Sequence, residues 1–397
     1  MKPENINLFT TLYSLLIPVL IFFALGKFKK LSDVANAEGK GEYKYFDSLR
    51  GIAATLVFIH HSIMIYNFHT TGKFGPVGVF TFEHPIYRSL YVYFGQASVM
   101  IFFMITGFLF FGKILSSPDD FDVRKFFHSR IRRLLPAAAS CFIVYITTLY
   151  LLTNSAWEIS ILKSFIAWMS FGFISLPNAG TAVPGWVLSA GVFWTLVVEW
   201  KFYILLPFIS FFIRGKKSAF LLIAILSYYI FYQYNSKLIN EQWAIVYTCF
   251  ILGFLAALIR KCIAPYAILS NPLSAAVAVL YLVYIFNENF IAYKLPVATS
   301  LFFIFVLISY NNSFFGLLKI KPLFYAGKSS YSIYIVHAPV LNIVCGYVLK
   351  GWSYSSCFLL SATILCCISF INYAYVERRF MNGFSKKISS QMQTRQP

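Results

Sequence analysis

The chain has 397 residues, of which 59% are hydrophobic and 12% charged, with a mean hydropathy of +0.70 and a formal net charge of +19. Soluble domains carry about a quarter charged and about half apolar residues, so a soluble globular protein is excluded and the composition reads as an all-α, polytopic bundle of membrane-spanning helices. The positive charge does not argue for nucleic acid, because Lys and Arg gather between the apolar runs, where they set orientation in the bilayer.

A span needs about 20 mostly apolar residues. Such runs predict spans near 8–26, 48–66, 91–111, 134–153, 193–213, 218–233, 243–259, 265–285, 295–310, 331–349 and 356–376, about eleven in all. The first follows a start whose one lysine, Lys2, is balanced by Glu4, and it is long enough to cross, so it is expected to be a spanning helix rather than a cleavable signal peptide. Basic stretches follow at Lys27/Lys29/Lys30/Lys40/Lys44/Arg50, Lys113/Arg124/Lys125/Arg130/Arg132/Arg133, Arg214/Lys216/Lys217, Arg260/Lys261, Lys319/Lys321/Lys328 and Arg378/Arg379/Lys386/Lys387. Placing each on the cytoplasmic side puts the N-terminus outside and the C-terminus inside.

The apolar run from Ile159 to Ser175 breaks this parity, since a full crossing would carry Arg214, Lys216 and Lys217 outside. It reads as a re-entrant segment leading into the Gly- and Pro-rich stretch Leu176 to Trp186, with a true crossing as the alternative. Long loops are expected only at 27–47, 67–90 and 112–133. The seven cysteines are scattered and mostly inside apolar runs, with neither disulfide nor zinc spacing, and no metal site is expected.

Ionisable side chains inside a span are costly unless paired or facing a cavity, which makes them functional candidates. In FDSLRGIAATLVFIHH, Arg50 and His61 are separated by about 1100° of helical rotation and share a face about 16 Å apart. Asp47 lies one turn before Arg50 and can pair with it, while His60 points away from that face. The competing reading is an arginine that snorkels and a histidine that makes a structural bond between helices. In FFHSRIRRLLP, Arg130, Arg132 and Arg133 lead into the fourth span, as phosphate-binding forks or as a stop-transfer anchor. WTLVVEWKFYILLP sets Glu199 and Lys201 in an aromatic, apolar helix, where the carboxylate either faces a cavity or makes a local ion pair. GKSSYSIYIVHAPV places His337 in a span with Tyr331 and Tyr334 at helical spacing before it, and Glu377 in YVERRF reads as a cytoplasmic salt-bridge cap.

In this order the segments resemble the acyltransferase-3 family of membrane acyltransferases over roughly residues 44–380. FDSLRGIAA is similar to its opening Asp-Gly-Leu-Arg segment, and Arg50 with His61 to its arginine, ten residues, histidine signature. ITGFLFF resembles its Ser-Gly-Phe-Leu turn with Thr106 for serine, and Arg130 with Arg132 its arginine-x-arginine pair. WTLVVEWKFY is similar to Trp-Ser-Leu-x-x-Glu-x-x-Phe-Tyr, SSYSIYIVHAPV to the late Ser-Tyr-x-x-Tyr-Leu-x-His segment, and YVERRF to the closing Val-Glu-Arg-Pro-Phe, with Arg379 where proline is usual.

The resemblance divides the chain into an added N-terminal helix and cytoplasmic loop (1–43), the membrane domain (44–380) and a polar cytoplasmic tail (381–397). The hydrolase-like domain that some members fuse at the C-terminus is expected to be absent, leaving open whether a partner presents the acceptor.

What the resemblance implies is transfer of an acyl group, usually acetyl from cytoplasmic acetyl-CoA, to a hydroxyl of an extracytoplasmic saccharide or lipid-linked glycan, in the inner membrane and with no resident cofactor. His61, Glu199 and Asp47 are then the candidate catalytic residues. Arg50, Arg130, Arg132 and Arg133 are candidate ligands of the donor phosphates, and Trp194, Tyr203, Tyr331 and His337 are candidate acceptor or supporting residues. An imidazole with an ordinary pKa of about 6.5 can accept a hydroxyl proton at pH 7; an acyl-histidine intermediate is the rival mechanism. A transporter or exporter with the same buried charges, or a transferase with a non-glycan acceptor, are the alternative functions. Against transport, no internal repeat is apparent.

Overall fold

The computed structural model describes residues 4–28, 44–117, 121–153, 161–178, 183–264, 266–288 and 293–381. Lys29, Lys30, Lys40, Lys386 and Lys387, residues 179–182 of the Gly- and Pro-rich stretch, and nearly all of the expected C-terminal tail lie outside the described residues. The chain is nearly all helix, in the order α1 (Leu8–Leu25), α2 (Lys44–Thr71), α3 (Pro85–Ser116), α4 (Val123–Thr153), α5 (Ile161–Met169), α6 (Phe193–Phe212), α7 (Lys216–Asn235), α8 (Glu241–Cys262), α9 (Pro272–Asn287), α10 (Leu295–Ser309), α11 (Lys321–Lys328), α12 (Ser330–Ile343) and α13 (Tyr354–Asn372), with a few single turns between them.

Among the described residues, eight helices are long and apolar enough to cross a membrane: α1 to α4, α6, α8, and the segments Ser330–Val348 and Tyr354–Met381 that contain α12 and α13. The other three expected spans fall on α7, α9 and α10. Of these, α9 and α10 are apolar but have only 16 and 15 residues, about 24 and 22 Å against a hydrocarbon core of about 30 Å. Among the described residues, length and composition therefore support eight candidate spans, and they do not extend that support to the three on α7, α9 and α10. In the expected re-entrant run the described helix α5 has nine residues, about 14 Å and less than half the core.

Helices start where side chains take up the free amides of the first turn. Asn7 accepts from Thr10 N at 2.9 Å, Asp122 from Lys125 N at 2.9 Å, and Asn240 from Trp243 N at 3.0 Å. His84 caps α3 just before Pro85. His84 and Asp122 lie well outside the apolar runs, so α3 and α4 begin before the expected spans; with α2 running on to Thr71 and α3 to Ser116, the helices consume much of what reads as loop at 67–90 and 112–133. A parallel pair of three-residue strands, Glu4–Ile6 with Phe80–Phe82, is the one sheet among the described residues. No apolar pattern marks it, because docking of the N-terminal segment creates it.

The segments around α2, α3 and α12 are the most enclosed of the eight, and α1 the least. Small residues let the central helices meet backbone to backbone. A Cβ on Gly107 of α3 would lie 2.4 Å from the Phe250 carbonyl oxygen of α8, and one on Gly253 of α8 would lie 2.3 Å from that of Met104.

Candidate active site

A cleft opens between α2, α3, α4, α6 and α12. On α3 its lining runs Val99, Phe102, Phe103, Thr106 and Phe110, the 3-4 spacing of one helix face over about 16 Å. Arg50 of α2, Arg130 and Arg133 of α4, and Glu199 and Tyr203 of α6 bring its charged and hydroxyl groups, and Ser330, Tyr331 and Tyr334 complete it. Three guanidinium groups face one carboxylate, so the cleft attracts anions.

Arg130 and Arg133 share a face because they are three residues apart. Arg132, two residues from Arg130, falls to the side and outside the lining. The Arg130 guanidinium sits over the Phe110 ring, 5.0 Å from its centroid. Its Nε and the Tyr331 hydroxyl are both shut from solvent and lack a protein hydrogen-bond partner. Buried polar groups rarely go unpaired, so these two atoms mark positions that a ligand can satisfy.

Glu199 accepts from the Tyr203 hydroxyl, one turn along α6, and from Thr106 Oγ1 at 3.4 Å. Lys201 lies on the exposed side of the same helix, since two residues of spacing turn it about 200° away. Asp47 bridges Lys328 at 3.0 Å and Arg50 at 4.0 Å. It stands about 21 Å along α2 from His61, so its chemistry belongs to the arginine end of the cleft.

His61 is 9% exposed and His337 fully buried. Their rings stack at 5.0 Å, with His337 Nε2 3.1 Å from His61 Nδ1. Neighbouring His60 donates from Nδ1 to the Tyr91 carbonyl at 2.6 Å, and its ring fills the space that a side chain at Gly95 would need. These contacts set the level of α2 against antiparallel α3. Val99, the innermost α3 residue of the cleft, is one turn nearer the arginines than Gly95. The cleft thus runs from Arg50 toward the histidine pair and ends about one turn short of it. At that end Tyr334 donates to Thr195 Oγ1 at 2.7 Å, Thr195 donating in turn to the Val192 carbonyl. The Tyr334 ring lies 6.0 Å from that of His337.

Trp194 lies outside the lining, packed edge-on against Phe103, Trp243 and Tyr293. Glu377 departs from its reading as a cytoplasmic cap. It is 1% exposed and accepts from Ser332, which accepts from Asn372 Nδ2 at 2.6 Å; Asn372 Oδ1 accepts from Ser140 at 2.6 Å. Of the polar lining, sequence reasoning did not single out Ser330, and it gave no role to Thr195 or Tyr334. The signal of the latter two was present, since Tyr334 precedes His337 by one turn and Thr195 precedes Glu199 by one.

A protein-family model described as an acyltransferase domain matches residues 43–371. O-acetyltransferase OatA of Staphylococcus aureus strains NCTC 8325 / PS 47, COL and MRSA252 is in each case 23% identical over 328 residues, covering 71% of this chain and 52% of the relative. The chain therefore spans about half the length of the curated relatives it matches. No solved structure matches it.

Proposed function

The chain belongs to the acyltransferase-3 family, and from that premise we propose that it is a membrane O-acetyltransferase moving an acetyl group from cytoplasmic acetyl-CoA to a hydroxyl of an extracytoplasmic saccharide. The observation that carries this reading is the cleft, cationic at one end, which runs about 16 Å toward a buried histidine pair. A donor with phosphates at one end and a thioester at the end of a long arm has that shape and charge distribution. In this reading the protein lies in the inner membrane with its N-terminus outside, consistent with the basic stretches.

Arg50, Arg130 and Arg133 hold the donor phosphates by charge-assisted bonds, with Arg132 adding charge from beside the cleft. His61 takes the proton of the acceptor hydroxyl, whose oxygen attacks the thioester carbonyl. The C–O bond forms, the C–S bond breaks, and the departing thiolate receives the proton from His61, so the acetyl group moves and the histidine is regenerated. Glu199, oriented by Tyr203 and Thr106, and the Tyr331 hydroxyl bind polar groups of the bound substrates. Trp194 offers an aromatic face to the sugar from beyond the end of the cleft.

The test is mass spectrometry of surface glycans and lipid-linked oligosaccharides from cells with wild-type protein or an equal amount of His61→Ala, together with thioester consumption by the purified proteins. Loss of one acetyl group per repeat in the variant supports the reading and identifies the acceptor. Identical glycans with no donor consumption would overturn it in favour of transport.

A further inference from the structure

Which ring nitrogen of His61 carries the proton can be worked out from its neighbours. His337 Nδ1 faces two carbonyl oxygens, Tyr334 O at 2.7 Å and Ile333 O at 3.2 Å. A carbonyl only accepts, so this nitrogen must carry a hydrogen. In a neutral imidazole the other nitrogen, Nε2, then has a lone pair and no hydrogen. That Nε2 faces His61 Nδ1 at 3.1 Å. Two bare nitrogens would repel at this distance, so His61 Nδ1 must be the donor. The neutral His61 ring is left with its lone pair on Nε2.

We propose that His337 is a positioning residue that fixes His61 in the Nδ1–H tautomer and leaves Nε2 as the atom that accepts the acceptor-hydroxyl proton. This rests on the acyltransferase reading above and deepens it. Three features of the fold hold the device in place. His337 is fully buried on α12, and its Nδ1 bonds tie the ring to the helix backbone of the preceding turn. Its ring stacks on that of His61 at an interplanar angle of 25°, which restricts rotation of both. Third, Glu199 is committed to Tyr203 and Thr106, so the role that an acid plays beside many catalytic histidines falls here to a second, neutral imidazole. Such a partner orients the base as a carboxylate would. It adds no negative charge beside the imidazolium formed during transfer, which then returns its proton to the leaving thiolate.

Two variants and one spectroscopic measurement test this. His337→Gln puts an amide oxygen near the former Nε2 and can still accept from His61 Nδ1. His337→Phe keeps the ring size and removes the acceptor. The expected result is a kcat within about 5-fold of wild type for the glutamine variant and at least about 100-fold lower for the phenylalanine variant, the range of a general base contribution, with donor KM unchanged in both. Nitrogen NMR of 15N-histidine-labelled wild-type protein, with His61 assigned by subtraction of the His61→Ala spectrum, should show a protonated Nδ1 and an unprotonated Nε2. That spectrum does not depend on turnover or on either His337 variant folding. An equally active phenylalanine variant, or a proton found on His61 Nε2, would overturn the inference. Absence of acetyl transfer by wild-type protein would instead overturn the acyltransferase reading.

Discussion

Gly51 and Gly327 bring α2 and α11 together main chain to main chain: a Cβ on Gly51 would lie 2.6 Å from the Gly327 nitrogen and 2.2 Å from the Leu323 carbonyl oxygen. One on Gly327 would lie 1.8 Å from the Asp47 carbonyl oxygen. The contact is next to Arg50 in sequence, and Lys328 beside it bridges Asp47 at 3.0 Å, so the glycine pair sets the position of the cleft's first arginine. Gly51→Ala or Gly327→Ala must push two helices apart. Each is expected to cost about 3 kcal/mol and to lower the unfolding temperature of the solubilised protein. An unchanged temperature in both would mean that the helices separate freely and that this contact does not place Arg50.

The arginines divide by direction rather than by number. Arg130 and Arg133 face the cleft and Arg132 does not. A charged hydrogen bond contributes about 1.5–3 kcal/mol, so Arg130→Ala and Arg133→Ala should each raise the donor KM about 10- to 100-fold, whereas Arg132→Ala should change it less than about 3-fold. Arg130→Lys should recover only part of the loss, because a single ammonium cannot reproduce the planar fork. Donor titrations with the purified variants check this ordering, and a defect in Arg132→Ala equal to the other two would contradict it.

Adjacent histidines are expected to fail in different ways. His61→Ala should abolish transfer while the protein still inserts and folds. His60→Ala removes a buried bond to the Tyr91 carbonyl and a ring packed against Gly95, which should lower stability by about 2–4 kcal/mol but leave most of the activity per folded molecule. Thermal unfolding and transfer rates measured on the same preparations separate the two effects. An inactive, stable His60→Ala beside an active His61→Ala would reverse the assignment.

Several of these relationships were legible in the sequence, because they depend on spacing along one helix. The shared face of Arg50 and His61 follows from 3.6 residues per turn, and the enclosure of α2 follows from its ionisable residues. What the sequence did not reveal depends on which helices are neighbours. His337 reads as a lone histidine in an apolar run until α12 is laid against α2. The motif Arg-Ile-Arg-Arg draws attention to Arg130 with Arg132, yet the helix turns Arg133 to the cleft in place of Arg132. Expected starts of α3 and α4 fall short for another reason: apolar runs report contact with lipid, whereas capping by His84 and Asp122 reports where helical hydrogen bonding begins. Glu377 reads as a surface group because arginines follow it. Its burial comes from Ser332 of α12 and from the link through Asn372 to Ser140 of α4, and α12 and α4 are remote in sequence.

That buried carboxylate gives the final prediction. Glu377, Ser332, Asn372 and Ser140 form a chain of hydrogen bonds joining the segment after α13 to α12 and α4, the helices that carry His337 and Arg133. Glu377→Ala leaves the Ser332 hydroxyl without its acceptor and opens a cavity, so it should lose about 3 kcal/mol of stability. Glu377→Gln keeps an acceptor oxygen in nearly the same volume and should stay within about 1 kcal/mol of wild type, with normal transfer per folded molecule, if the group serves only to join the helices. The chain of bonds ends at Ser140 on α4, about two turns from Arg133 on the same helix. A stable Glu377→Gln variant with an altered donor KM would therefore show that the carboxylate's charge, through Arg133, sets the affinity of the cleft for the donor.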